Sequence, residues 1–251
     1  MSDPSLSSNV TPRGAGPRRI GILGGMGPQA TILLQKKLLG AVQADDDSGH
    51  IPLLIDMNTQ VPSRIDHLIH GRGEDPAPVL AAMARRLQDA GAEALAMPCN
   101  TAHHYAPAIT NAVTVPFLDM VDRAAERATR VPGPQGCVGM LASPAVRMTG
   151  LFDRALEQRG LRTLWPKDEP AMLGAIRRIK ADGPVKEARD LLRAASDELA
   201  TGGALFQLVA CTEFSLITDC AAAHVSVVDT MDVLVDAILD FSLNPGPSEH
   251  T

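Results

Sequence analysis

The sequence predicts an α/β protein in which one parallel-sheet unit occurs twice. Three observations carry this expectation. Short apolar runs alternate with amphipathic stretches, the pattern of strands joined by helical crossovers. Residues 84–101 align with residues 196–213, placing Leu87 on Leu199, Gly91 on Gly203 and Cys99 on Cys211. Upstream, GILGG at 21–25 matches GMLAS at 139–143. Each of the two cysteines stands eight residues after a helix-ending glycine, at the end of an apolar run.

Taken in order, residues 19–24 (RIGILG) read as a buried strand and 28–42 as a helix. A second strand is expected at 51–57. The next helix, 76–91, carries Leu80, Met83, Ala84 and Leu87 on one face and Arg85, Arg86 and Asp89 on the other, and Gly91 stops it. Strands follow at 94–98 and 115–118. The pattern then restarts with a strand at 136–142, helices at 148–159 and 185–200, strands at 205–210 and 225–228, and a last helix at 230–242. The segments 1–17 and 244–251, rich in Ser, Pro and Gly, read as disordered tails.

Composition narrows the partners. Hydrophobic residues make up 45% of the 251, enough for a core, but aromatics only 3%, so few rings remain to stack on bases. The net charge is −6 and no basic run occurs, which argues against a nucleic-acid partner. No apolar run reaches the roughly 18 residues of a membrane helix. The N-terminal stretch lacks an apolar signal core, so a cytoplasmic location with reduced thiols is expected. The four cysteines form no CxxC pair. In such a protein a free thiol is either an inert core filler or a chemical group. Cys137 and Cys220 are expected to be fillers, the ordinary fate of a cysteine.

Cys99 and Cys211 are different because they occupy equivalent positions. In parallel α/β sheets ligands bind beyond the carboxyl ends of the strands, where both cysteines fall. Polar residues follow each, Asn100-Thr101 and Thr212-Glu213, and are expected to open a helix. Free N–H groups at a helix start lower a thiol pKa and bind a carboxylate. Two thiols facing one carbon suit racemisation, in which one base removes a proton and a second acid returns one to the opposite face. A free thiol pKa of about 8.5 leaves both forms within reach near neutral pH.

Three stretches resemble the aspartate/glutamate racemase family, the members independent of pyridoxal phosphate, with aspartate racemase nearest. They are GILGGMGPQAT at 21–31, MPCNTAH at 97–103 and CTE at 211–213. QVPSR at 60–64, GEDP at 73–76 and WPKDE at 165–169 add to the likeness. The resemblance implies two pseudo-symmetric parallel-sheet α/β domains with the active site in the interdomain cleft. The first would span 18–117 plus 225–243, with the last strand and helix returning to it, and the second 118–224. It further implies a homodimer, no cofactor, no metal, and a small amino-acid substrate, aspartate first and glutamate second. Carried over by residue, Cys99 and Cys211 are the two bases. Asn100, Thr101 and Thr212 hold the α-carboxylate and amino group, and Gly25 and Met26 line the pocket. Arg64, with Gln60 beside it, meets a side-chain carboxylate, and Lys180 is the second cation. Glu213 either bonds the substrate amine or caps its helix.

The sequence departs from the family pattern where Ser143, counted with the substrate-binding residues, keeps a hydroxyl but Val146 does not, and where Ser63 and Ile65 flank Arg64 in place of Asp and Thr. These departures bear on the substrate. They leave open a broad-specificity racemase, or a related isomerase or decarboxylase of small carboxylic acids. A dinucleotide-binding oxidoreductase is the distant alternative. Gly25, Gly27 and Ala30 fit G-x-G-x-x-A, with Asp56 as the acidic partner, although Pro28 removes one N–H donor. His103 and His104 near Cys99 suggest a metal, but no second cluster completes a tetrahedral set. His103 reads as a turn residue beside the pocket.

Overall fold

The computed structural model describes residues 16–130 and 136–244. The two expected tails, apart from residues 16, 17 and 244, lie outside the described residues. The first half runs β1 (Ile20–Gly24), α1 (Pro28–Ala41), β2 (Leu53–Met57), α2 (Arg64–Leu68), α3 (Ala77–Asp89), β3 (Ala94–Ala96), α4 (Ala106–Thr110) and α5 (Met120–Thr129). The second runs β4 (Cys137–Ala142), α6 (Pro144–Thr149), α7 (Leu151–Glu157), β5 (Arg162–Leu164), α8 (Glu169–Asp182), α9 (Lys186–Thr201), β6 (Phe206–Ala210), β7 (Ser226–Asp229) and α10 (Thr230–Leu243). Among the described residues no helix is long and apolar enough to cross a membrane.

All pairings are parallel. The first sheet has the order β2-β1-β3 and the second β5-β4-β6-β7. The strand expected at 115–118 is reduced to one parallel bridge, Leu95 to Phe117. Leu95 N–H donates to Pro116 O and Leu118 N–H to Leu95 O, both at 2.8 Å. Pro116 has no N–H with which to extend the ladder. With this bridge counted, the two sheets share one strand order.

The sequence repeat is a packing repeat. A Cβ on Gly21 would stand 2.7 Å from Leu95 Cδ2 and 3.1 Å from Leu87 Cβ. A Cβ on Gly139 would stand 2.9 Å from Gln207 Cγ and 3.3 Å from Leu199 Cβ. Glycine in the first strand of each half therefore lets α3, or α9, lie close over its sheet. The expected helix at 148–159 is instead two helices, α6 and α7, broken at Gly150 where φ is +62°.

One expectation needs correction. The last strand does not return to the first domain, because β7 pairs with β6 from Phe206↔Ser226 to Val209↔Asp229. The physical reason is that the matching edge of the first sheet, beside β3, is already taken by residues 116–118. Only the helix returns. α10 buries Met231, Leu234, Val235 and Ile238 with Ile20, Ile22 and Leu34 of the first half. In exchange, α5 buries Val121, Ala124, Ala125 and Ala128 with Val138, Met140 and Phe152 of the second. Each large side chain so buried contributes roughly 1.5–3 kcal/mol, so the exchange clamps the halves together.

Candidate active site

Both cysteines lie at carboxyl ends of central strands, Cys99 just past β3 and Cys211 directly after β6. Both are buried, and both line one small cleft of about 70 Å³. The first half also supplies Met26, Ser63, Arg64, Ile65 and Thr101 to its walls. The second supplies Ser143, Ile176, Lys180 and Glu213. The two cations come from equivalent places. Arg64 opens α2, in the connection between β2 and α3, and Lys180 lies near the end of α8, in the connection between β5 and α9.

The loop after β1 shows why Met26 reaches the cleft. Gly25 has φ +91°, and a Cβ there would meet the Asn58 carbonyl at 2.4 Å. Only glycine allows that approach. Gly25 itself does not line the cleft. Asp56, the acidic residue of the dinucleotide alternative, is held by Arg86 Nη2 at 2.6 Å.

Short 3₁₀ turns follow each cysteine, Thr101–Tyr105 and Phe214–Leu216, where longer helices were expected. They are bolted by equivalent residues, each four positions after its cysteine. His103 Nδ1 donates to Cys99 O at 2.8 Å, because its Nε2 accepts from Met120 N–H at 3.2 Å. Burial holds the His103 imidazole below its ordinary pKa, against the pull of Asp119. With both ring nitrogens committed, His103 is a structural tie to α5. Ser215 N–H donates to Cys211 O at 3.1 Å, and Ser215 Oγ donates to Asp229 Oδ1 at 2.7 Å, at the start of α10.

The structure does not bring every expected residue to the cleft. Asn100 Nδ2 donates to Thr230 Oγ1 at 2.9 Å, which donates to Val209 O at 3.0 Å. Asn100 is thus a joint between the halves, with its Oδ1 left without a protein partner. Gln60 bonds Asn58 and Thr59 in an exposed loop. Thr212 is buried away from the cleft. Conversely, Ser63 and Ile65 line it rather than merely flanking Arg64, and Ile176 was missed. Ile176 stands four residues before Lys180 on α8, so the helical spacing of 169–182 was the signal that could have found it.

The electrostatics are uneven. Cys211 Sγ donates to Glu213 Oε2 at 3.2 Å, and Glu213 Oε1 meets Lys180 Nζ at 3.2 Å. Burial first, then the Glu213 carboxylate, pushes the Cys211 thiol well above its ordinary pKa. The N–H groups of Glu213 and Phe214 pull the other way. Burial lowers the Lys180 ammonium, but the Glu213 carboxylate and the two cysteines outweigh it, and the net shift is upward. Glu213 makes no side-chain cap bond. Arg64 donates from Nη1 to Val61 O at 3.2 Å and to Pro62 O at 2.8 Å, and has no carboxylate partner among the described residues. Thr101 Oγ1 and Ser143 Oγ lie 3.4 Å apart, one from each half.

Two parallel α/β units closing on a shared cleft are a fold this chain shares with solved racemase structures. The aspartate racemase of Picrophilus torridus superposes with a TM-score of 0.77 at 24% identity, over 89% of this chain and 93% of that one. An aspartate racemase homologue from Pyrococcus horikoshii OT3 gives 0.69 at 22% identity, over 89% and 98%. These likenesses establish the fold. The chain belongs to the Asp/Glu/Hydantoin racemase family, whose model matches residues 23–238. The broad specificity amino-acid racemase RacX of Bacillus subtilis is 25% identical over 217 residues, covering 84% of this chain and 92% of RacX.

Proposed function

We propose that the protein racemises an amino acid by moving the α-proton between Cys99 and Cys211, with aspartate first and glutamate second as substrates. One observation carries the reading: a thiol from each half lines a single small cleft that also holds Arg64 and Lys180. One sulfur, as thiolate, takes the proton from Cα. The other, as thiol, gives its proton to the opposite face, so the two sulfurs end with roles exchanged. Arg64 and Lys180 attract the substrate carboxylates. Together with the hydroxyls of Thr101 and Ser143, they stabilise the charge that develops as Cα–H breaks, and a cleft of low dielectric strengthens each contact.

The test is incubation in D₂O with single enantiomers of a panel of amino acids, following the α-proton by NMR. Exchange of deuterium into aspartate or glutamate, with appearance of the other enantiomer, is the expected result. No exchange with any amino acid overturns the reading.

A broader substrate range is favoured by one feature. Lys180 is already paired with Glu213, and Met26, Ile65 and Ile176 make part of the wall apolar. On that reading neutral amino acids in the same panel exchange as fast as aspartate.

A further inference from the structure

The residue two positions after each cysteine breaks the pseudo-twofold symmetry. After Cys99 it is Thr101, whose hydroxyl faces Ser143; after Cys211 it is Glu213. We propose that Glu213 is a positioning residue that keeps Cys211 as the proton-carrying thiol in the free protein, leaving Cys99 to begin as the base. The inference rests on the two-thiol reading above. Its foundation is the contact geometry.

A carboxylate paired with an ammonium can only accept hydrogen bonds. Glu213 is held in that state by Lys180 Nζ at 3.2 Å from Oε1, while Oε2 lies 3.2 Å from Cys211 Sγ. The sulfur must therefore supply the proton of that bond. A thiolate at Cys211 would lose the bond and set two anions in contact. No carboxylate among the described residues bonds Cys99 in the same way.

The free protein is consequently one-sided. The enantiomer whose α-proton faces Cys99 meets the prevailing form. Its mirror image needs the minor form, and a ligand that binds only a minor form shows a dissociation constant raised by the inverse of its population. A racemase interconverts species of equal free energy, so kcat/KM is equal for the two enantiomers. The bias shows as KM and kcat displaced together.

The test alkylates the substrate-free full chain with iodoacetamide and follows each cysteine by peptide mass spectrometry. Cys99 and Cys211 are comparably buried, at 7% and 5% exposed, in the same cleft, so their ratio reports thiolate content. Cys99 is expected to label at least about tenfold faster, since the thiolate is the nucleophile. In Glu213→Gln, Cys211 labelling accelerates about tenfold relative to Cys99, and the KM values of the two enantiomers converge. Cys137, packed in the hydrophobic core and outside the cleft, stays protected while the chain is folded. Should it label in the variant, the wild-type ratio decides alone. Equal labelling of Cys99 and Cys211 in the wild type overturns the proposal. So does a folded Glu213→Gln chain with both ratios unchanged. Labelling needs no turnover. Expected labelling without α-proton exchange in any amino acid removes the racemase reading and leaves the Glu213 contact standing.

Discussion

In the first half the chain leaves its cysteine through Asn100 and Thr101; in the second it leaves through Thr212 and Glu213. Four residues on, His103 ties the first turn to α5 and Ser215 ties the second to α10. Arg64 enters the cleft from α2 and Lys180 from α8. Gly21 and Gly139, by contrast, keep the same residue in the same contact with Leu87 and Leu199. The glycine–leucine contacts that seat a helix on each sheet are alike, while the groups around the two cleft cysteines differ. The difference follows from the proposed chemistry. Proton removal and return are mirror-image steps, so on that reading each half supplies one sulfur. The carboxylate, ammonium and side chain of a substrate are unlike one another, so the groups around the two sulfurs cannot be alike.

The largest expected effect tests whether both thiols are needed. Cys99→Ala and Cys211→Ala should each lower kcat/KM for racemisation by about 10³-fold or more, on the order of 4 kcal/mol. A loss below tenfold for either one, measured by chiral assay, breaks the comparison.

The next effect sharpens the contrast between the two capping aspartates. Asp119 caps α5 with its side chain 41% exposed, while Asp229 caps α10 with its side chain 3% exposed. Burial raises the Asp229 carboxyl to about 6, although Met231 N–H and the Ser215 hydroxyl oppose it. An acid whose folded pKa is raised stabilises the fold below its ordinary range, and that stability is lost as pH climbs through the folded value. The wild type should therefore lose roughly 2–3 kcal/mol between pH 4 and pH 7 relative to Asp229→Asn. Urea unfolding at the two pH values measures it, and equal pH dependence in the two chains contradicts the assignment.

The smallest effect tests the scaffold. Gly21→Val and Gly139→Val each force a helix off its sheet and should cost about 1–3 kcal/mol, by similar amounts. Thermal unfolding of the pair checks this. A large disparity means that the repeat is only a sequence likeness.

Much of this was legible beforehand. The duplicated unit showed because close helix–sheet packing tolerates little at Gly21, Leu87 and their counterparts. Both cysteines, Met26, Arg64, Thr101, Ser143, Lys180 and Glu213 were expected at the cleft and line it. Gln60, Asn100, Thr212 and Gly25 were expected there and do not. Each has polar chemistry or a neighbour that suits the cleft, but Asn100 was recruited to the joint with Thr230, and Gln60 to its own loop. The strand at 115–118 was overread because apolar character does not reveal that Pro116 lacks a donor. The place of β7 was misjudged because pattern identifies a strand without identifying its neighbour.

Composition and spacing alone establish the parallel α/β class, the repeat and the pair of equivalent cysteines, because helix and strand periodicity and turn chemistry act over a few residues. The packing of the chain settles which sheet receives β7, which helices change sides, and that Glu213 stands between Cys211 and Lys180. Those contacts join residues far apart in sequence, such as Asn100 with Thr230 and Thr101 with Ser143. Such pairs are selected by mutual fit of surfaces and charges in three dimensions, and a local pattern carries no record of that fit.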